Sequence, residues 1–430
     1  MRRLQLLRHS LFVCCLLGVA GKSGAQDIIY SNNIASPQLY VSGNQLAYPV
    51  LHLNSSDKLE LHFDDLDADV KNYYYTFQLC NADWTPAIVS QFDFINGFSQ
   101  IQVSDYQFSS VALTHYTHYQ AVIPDRNCIP IHSGNYLLKV FLYGDTSKMA
   151  FSRRFLVLDQ KLGINAQVLQ PLDNNLLRTH QRLQFELNTA AVNPANPLEQ
   201  IKVVVLQNYR WDNASTNARP TIYINNKLQY NSEDAFLFPG GSEWRWADLQ
   251  SFRFQSDRIQ RVNNTKNATE IFLKPDADRS QGIYIRYQDY NGGYFIQTTE
   301  SINTLLQTDY ATVHFYFVPP ANSPFPDKDV YLFGSLTGWA TDDSSRMHFN
   351  KDRGAYETSL FLKMGYYSYG YTTIARDDPS RKFSMDFTEG NHMETENNYT
   401  ILVYYRALGG RADELVGMST ISSITGRPGF

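Results

Sequence analysis

Apolar and polar residues alternate with a period of two over much of this chain. That spacing turns one face of a strand toward a core and the other away from it. Leu59, Leu61 and Phe63 alternate with polar neighbours, as do Tyr73, Tyr75, Phe77 and Leu79. Leu138, Val140 and Leu142 repeat the pattern before a Gly144-Asp145 turn, and Phe155 and Val157 close the series. Further strands are predicted at 183–187, 201–206, 221–224, 271–273, 283–287, 294–296 and 313–317. Helical periodicity is almost absent, and only 247–251 and 301–306 suit a short helical turn. The fold class is therefore all-β, read as three consecutive β-sandwiches of immunoglobulin-like or E-set-like type.

Punctuation along the chain sets the expected boundaries. Residues 26–160 form the first sandwich and 161–318 the second. A Pro-rich linker follows at 319–326, and 327–430 form the third. Proline fixes φ and removes a donor, so a sheet must stop at the linker, and such a segment is semi-rigid.

The first residues look like an export signal. Arg2, Arg3 and Arg8 precede an apolar run at 11–20, too short to span a bilayer. Ser23-Gly24-Ala25 then offers the small residues of a cleavage site. Residues 1–25 are thus a predicted signal peptide, and the mature chain is expected to begin at Gln26, outside the cytoplasm. Cys14 and Cys15 lack the neighbours that lipidation needs, so no anchor is expected.

Composition narrows the function classes. The 430 residues carry a formal net charge of -5 with no basic stripe, which argues against nucleic acid. Aromatics make up 14% of the chain, a share that suits half-buried sheets and broad, wet protein interfaces. A membrane β-barrel is disfavoured, because the strands are irregularly spaced and Gly426-Arg427-Pro428-Gly429 precede Phe430.

Candidate chemistry is sparse. After cleavage only Cys80 and Cys128 remain. In an oxidising compartment they suit either a disulfide or two small buried hydrophobes. His115 and His118 lie three apart, so on one strand they point to opposite faces and cannot share a metal. The acidic run Asp64, Asp65, Asp67 and Asp69 lacks the Gly and distal Glu of a calcium loop and reads as a solvated loop. Gly334-Ser335-Leu336-Thr337-Gly338 places its serine one position early for a nucleophile elbow and reads as a turn. No catalytic residue, metal ligand or cofactor is nominated, so the chain is not expected to be an enzyme.

One ordered set of motifs is more specific. Tyr75-Thr76-Phe77-Gln78-Leu79-Cys80-Asn81-Ala82-Asp83-Trp84 comes first, then Phe94-Ile95-Asn96-Gly97-Phe98. Tyr116-Thr117-His118-Tyr119, Ile123-Pro124 and 133–140 follow. In this order they resemble the plug protein family of the Bacteroidetes type IX secretion system. The resemblance implies a non-enzymatic periplasmic subunit at the inner face of the outer membrane. Its partner would be the translocon barrel, whose periplasmic mouth it occludes, with no small-molecule ligand. Trp84, Tyr75 and Tyr116 suit core positions as well as contacts.

Residues 330–339, ending in Trp339, with Met347, Tyr356 and Phe361 after them, are similar to immunoglobulin-like glycogen- and starch-binding modules. That likeness makes Trp339 a sugar-stacking candidate. The second stacking Trp of such modules is missing between Thr372 and Lys382. The alternative function it implies is a periplasmic or surface carbohydrate-binding protein.

Overall fold

The computed structural model describes residues 26–216 and 218–427. The expected signal peptide and Phe430 lie outside the described residues. Within them the chain is almost wholly strand, and its one α-helical turn is Pro197–Gln200. No helix among the described residues is long and apolar enough to cross a membrane.

The first sandwich packs two antiparallel sheets. One runs in the order Ile28–Ile29, Met149–Leu158, Gly134–Leu142, Tyr73–Cys80, Ile101–Gln102, with Val50–His52 added parallel to Met149–Leu158. The other runs Ile34–Val41, Leu59–Asp65, Thr117–Ile123, Asp105–Phe108. Leu59, Leu61, Phe63, Tyr73, Tyr75, Phe77 and Leu79 all turn into the core between them. The period-two signal thus marks that core face.

The second and third sandwiches do not follow the expected boundaries. Strand Ile201–Gln207 pairs antiparallel with Asn398–Tyr405, which pairs with Glu414–Ser422. The core of the second sandwich therefore combines Leu183, Phe185, Val203 and Val205 with Ile401, Val403 and Val416. The third core gathers Ala247, Ile271, Val313, Phe315, Val330, Leu332 and Tyr369. The expected units 161–318 and 327–430 are replaced by one sandwich inserted into another. The third interrupts the second between Leu237–Pro239 and Asn398–Tyr405. Periodicity shows that a strand exists but not which distant strand it pairs with.

The 319–326 stretch is likewise not a linker between domains. It carries the chain from Tyr310–Val318 in one sheet to Lys328–Phe333 in the other sheet of the same sandwich. Phe325 donates its N–H to the Tyr356 hydroxyl at 2.8 Å and stacks on that ring. Of the predicted helical turns, Arg245–Asp248 is a strand and 304–306 a plain turn. The strand expected at 283–287 is irregular chain.

Where the chain crosses into the third sandwich and back, its two passages run side by side. The Ser242 hydroxyl donates to Glu389 O at 2.7 Å, and His392 N–H donates to Gly241 O at 2.8 Å. A Cβ on Gly240 would collide with the His392 carbonyl, so only glycine allows this approach. Next to the crossing, Arg245 Nε bonds Glu389 Oε1 at 3.0 Å and its Nη1 bonds Asp276 Oδ1 at 3.0 Å. Arg245, Asp276 and Glu389 are all buried, so the ingoing strand is clasped to the outgoing segment by desolvated charge.

Candidate functional site

Chemistry-bearing residues gather where the sandwiches meet. At the seam between the first and third, Asp64 is 1% exposed and Lys363 2% exposed. Lys363 Nζ reaches Asp64 Oδ2 at 2.5 Å, and the Tyr310 hydroxyl donates to the same oxygen at 2.6 Å. His118 Nδ1 donates to Asp64 Oδ1 at 2.6 Å, and His118 Nε2 lies 3.1 Å from His62 Nδ1. The Lys363 ammonium also stands 4.1 Å from the centre of the Tyr116 ring. Tyr116 in turn donates to Thr308 O at 2.9 Å.

This corrects the expected solvated acidic loop. Asp64 and Asp65 are buried in strand Leu59–Asp65, and only Asp67 and Asp69 stay outside, held with Asp65 by Lys71. His115 precedes strand Thr117–Ile123, and His118 finds its partner in His62 on the neighbouring strand. Among the described residues no group of His, Cys, Asp and Glu is arranged to hold a metal ion.

The ionisation of this cluster follows from its surroundings. Burial alone would raise the Asp64 carboxyl, but Lys363 and then His118 outweigh it and hold it below the usual carboxylate range. Burial lowers Lys363, and Asp64 offsets part of that. Burial, reinforced by the His118 charge, pushes His62 down from 6.5 to about 4, against the pull of Glu60.

The unfolded chain therefore takes up the His62 proton first as pH falls. The His62 contribution to stability is complete above pH 6.5 and is gone below about pH 4. A shift of that size corresponds to about 3 kcal/mol. Urea unfolding at pH 7, 5.5 and 4 should show this fall in the wild type and a flatter profile in His62→Phe.

The seam between the second and third sandwiches is built around Arg210, in the connection after Ile201–Gln207. Its guanidinium lies 4.9 Å from the ring centre of Phe333, 5.1 Å from Phe383, 5.2 Å from Trp339 and 6.0 Å from Trp244. Asp212 Oδ2 accepts from Arg210 Nη2 at 2.6 Å. Trp339, the residue singled out for sugar stacking, therefore has Arg210 over its ring and Trp244 edge-on at 5.5 Å. Any sugar stacking on that face would have to displace Arg210. Arg210→Ala should cost about 2 kcal/mol, the scale of a desolvated cation–π contact. Arg210→Lys should recover only part of it, because the ammonium cannot stack as a plane. Thermal unfolding midpoints of the two variants test this.

The first and second sandwiches meet through an apolar cluster that includes Cys80, Trp84, Leu137, Leu156, Val204, Leu206, Leu402 and Tyr404. Trp84 meets Trp211 edge-on at 4.9 Å, and the Tyr404 hydroxyl donates to Asn135 Oδ1 at 2.7 Å. Cys80 belongs to this seam and Cys128 to the first core. Both thiols are buried and unbridged, so the disulfide reading is not realised. Burial pushes each thiol up to about 12. Of the three motif aromatics, Tyr75 is core, whereas Trp84 and Tyr116 lie in two different seams.

One part of the first sandwich presents apolar side chains outward. Ile88 is 88% exposed, Phe92 81% and Phe98 65%, with Ile129 and Ile131 also exposed. They lie on and around a ribbon formed by Ile95–Gly97 and Cys128–Pro130. The loop bearing them is tied down. Gln91 Nε2 donates to Ser99 O at 2.9 Å, and Phe98 N–H donates to Asn127 O at 2.6 Å.

Residues 34–159, which span both sheets of the first sandwich, match the family model described as the type 9 secretion system plug protein first domain. The first sandwich is thus similar to the first domain of the type 9 secretion system plug protein. A crystal structure of a hypothetical protein from Parabacteroides merdae ATCC 43184, at 2.30 Å, shares the whole architecture. It is 29% identical, with a TM-score of 0.87 over 93% of this chain and 99% of that one. The sandwich that matches the plug first-domain model is thus one part of an arrangement that a second, solved chain repeats. Trypsin-activated alpha-2-macroglobulin from Escherichia coli aligns at 10% identity over 93% of this chain and 30% of that one. Its TM-score of 0.16 carries no argument. No curated protein matches the chain.

The sequence did not single out His62, Lys363, Tyr310 or Arg210. The one available signal was His62 and Asp64 alternating with Leu61 and Phe63. That pattern also fits an ordinary solvent face.

Proposed function

We propose that this protein is a non-enzymatic plug of the type 9 secretion machinery. It sits in the periplasm at the inner face of the outer membrane and closes the mouth of the translocon barrel when no cargo is engaged. The match of residues 34–159 to the plug first-domain family carries this reading. The seams support it, since a plug must resist deformation. Desolvated ion pairs and packed aromatics at three junctions bind the sandwiches into a stiff body.

The contact with the barrel is assigned to the outward apolar residues Ile88, Phe92 and Phe98, whose tied-down loop lowers the backbone-ordering cost of binding. Native purification of the tagged barrel in mild detergent should retain the mature protein. The double variant Ile88→Ser, Phe92→Ser should unfold at the wild-type midpoint, because exposed substitutions change stability by only about 0.5 kcal/mol. It should nevertheless be retained about tenfold less. A barrel that never retains the wild type overturns the plug reading. Undiminished retention of the double variant overturns only the assigned face.

A further inference from the structure

The geometry points to a proton-operated release of the seam between the first and third sandwiches, centred on the His62–His118 pair and independent of the plug reading. His118 Nδ1 is committed to Asp64 Oδ1 at 2.6 Å, so that nitrogen carries a hydrogen. The 3.1 Å line between His62 Nδ1 and His118 Nε2 then holds one hydrogen, donated by His62 while both rings are neutral. One extra proton is accommodated, because His62 Nε2 faces Glu60 Oε2 at 3.6 Å. A second extra proton sets N–H against N–H between two buried cations, and the contact must break.

The groups facing the pair assign a direction to this event. On its own strand are Glu60 and Asp64. Tyr40, from Ile34–Val41, stacks on His62 at 5.6 Å. Asp105, from Asp105–Phe108, is taken by Gln120. Lys363 and Tyr310 come from the third sandwich, and Tyr116 lies beside Lys363. Of the carboxylates beside the two imidazoles, Glu60 is the one with solvent access, its side chain 29% exposed against 1% for Asp64. Protons therefore arrive at the Glu60–His62 end. The contact that breaks is His62–His118, and His118 in turn is bonded to Asp64, the residue to which Lys363 and Tyr310 attach the third sandwich.

The rest of this seam follows. Asp309 accepts Leu113 N–H at 2.8 Å and Thr114 N–H at 3.0 Å, a second carboxylate join across the same junction. The first–second seam packs mainly apolar side chains and stays closed. Acid thus frees the third sandwich from the first while the second keeps hold of both.

Hydrogen exchange of the mature full-length chain, corrected for the intrinsic pH dependence of exchange, tests this at pH 7.5, 6 and 5. Protection in 109–119 and 303–312 should fall about tenfold or more between the extremes, while 201–207 and 398–405 hold theirs within about twofold. His62→Phe keeps the ring beside Tyr40 and should abolish the pH dependence. Glu60→Gln, at a part-exposed position, should move the midpoint to lower pH and carries the test if His62→Phe does not fold. Seam protection that ignores pH in the wild type overturns the proposal. So does a parallel loss in all four segments, which is global unfolding, or a Glu60→Gln midpoint that does not move.

Discussion

Asp64→Ala is expected to destabilise the protein by about 3–5 kcal/mol, because it leaves the Lys363 ammonium buried without its anion. The attraction alone does not set this size, since burying both charges costs much of what their pairing returns. The asymmetry does. Lys363 is 2% exposed, and without Asp64 it keeps only Leu305 O at 3.3 Å and the faces of two tyrosines. His118 loses its acceptor in the same step, and Tyr310 keeps only Ser36 Oγ at 3.1 Å. Denaturant unfolding followed by tyrosine fluorescence measures the loss. The double variant Asp64→Leu, Lys363→Met should return the part that comes from the unpaired ammonium, since apolar replacement of a buried pair is often close to neutral, but not the part that comes from the His118 N–H left without its acceptor. A loss under about 1 kcal/mol for Asp64→Ala would mean that water reaches the pair, and the seam would not be dry.

Arg245→Ala should be comparably damaging, again about 3–5 kcal/mol, at a different junction. Arg245 bonds Glu389 through Nε, Asp276 through Nη1 and Ala277 O through Nη2 at 2.8 Å. Glu389 would keep Arg279, and Asp276 would keep Arg258 with the Tyr369 and Tyr371 hydroxyls. Two carboxylates would then share less positive charge than they were buried with. The clasp between the ingoing and outgoing passages would also be lost. Limited proteolysis should cut Arg245→Ala near 240–245 or 389–397 at protease levels that leave the wild type whole. Arg245→Lys should rescue little, because an ammonium cannot reproduce the fork that spans both acids. Wild-type resistance in Arg245→Ala would show that the backbone bonds of the crossing suffice.

Strand existence was legible in the sequence because alternation reports local burial. Leu59, Leu61 and Phe63 predict a strand with an inward face, and the structure packs that face into the first core. The opposite face was not legible. His62 and Asp64 look like a solvent face because sequence cannot show that another sandwich covers it. The partner of Asp64 lies 299 residues away. The same blindness explains the domain error, since nothing near Ile201 indicates that its strand pairs with Tyr405. Proline at 319–326 correctly signals that a strand stops, but a stop inside a sandwich and one between sandwiches look alike. Trp84 and Tyr116 were recognised as motif residues, and the seams they occupy supply a physical reason for large rings there.

The insertion of one sandwich into another also governs the order of assembly. Ile201–Gln207 emerges from the ribosome long before Asn398–Tyr405, yet the two must lie side by side. Until the tail of the chain is made, that half-built sheet exposes an unpaired edge and its apolar face, a state prone to aggregation. The interrupting sandwich, continuous in sequence, is free to form first and to bring the two separated ends together.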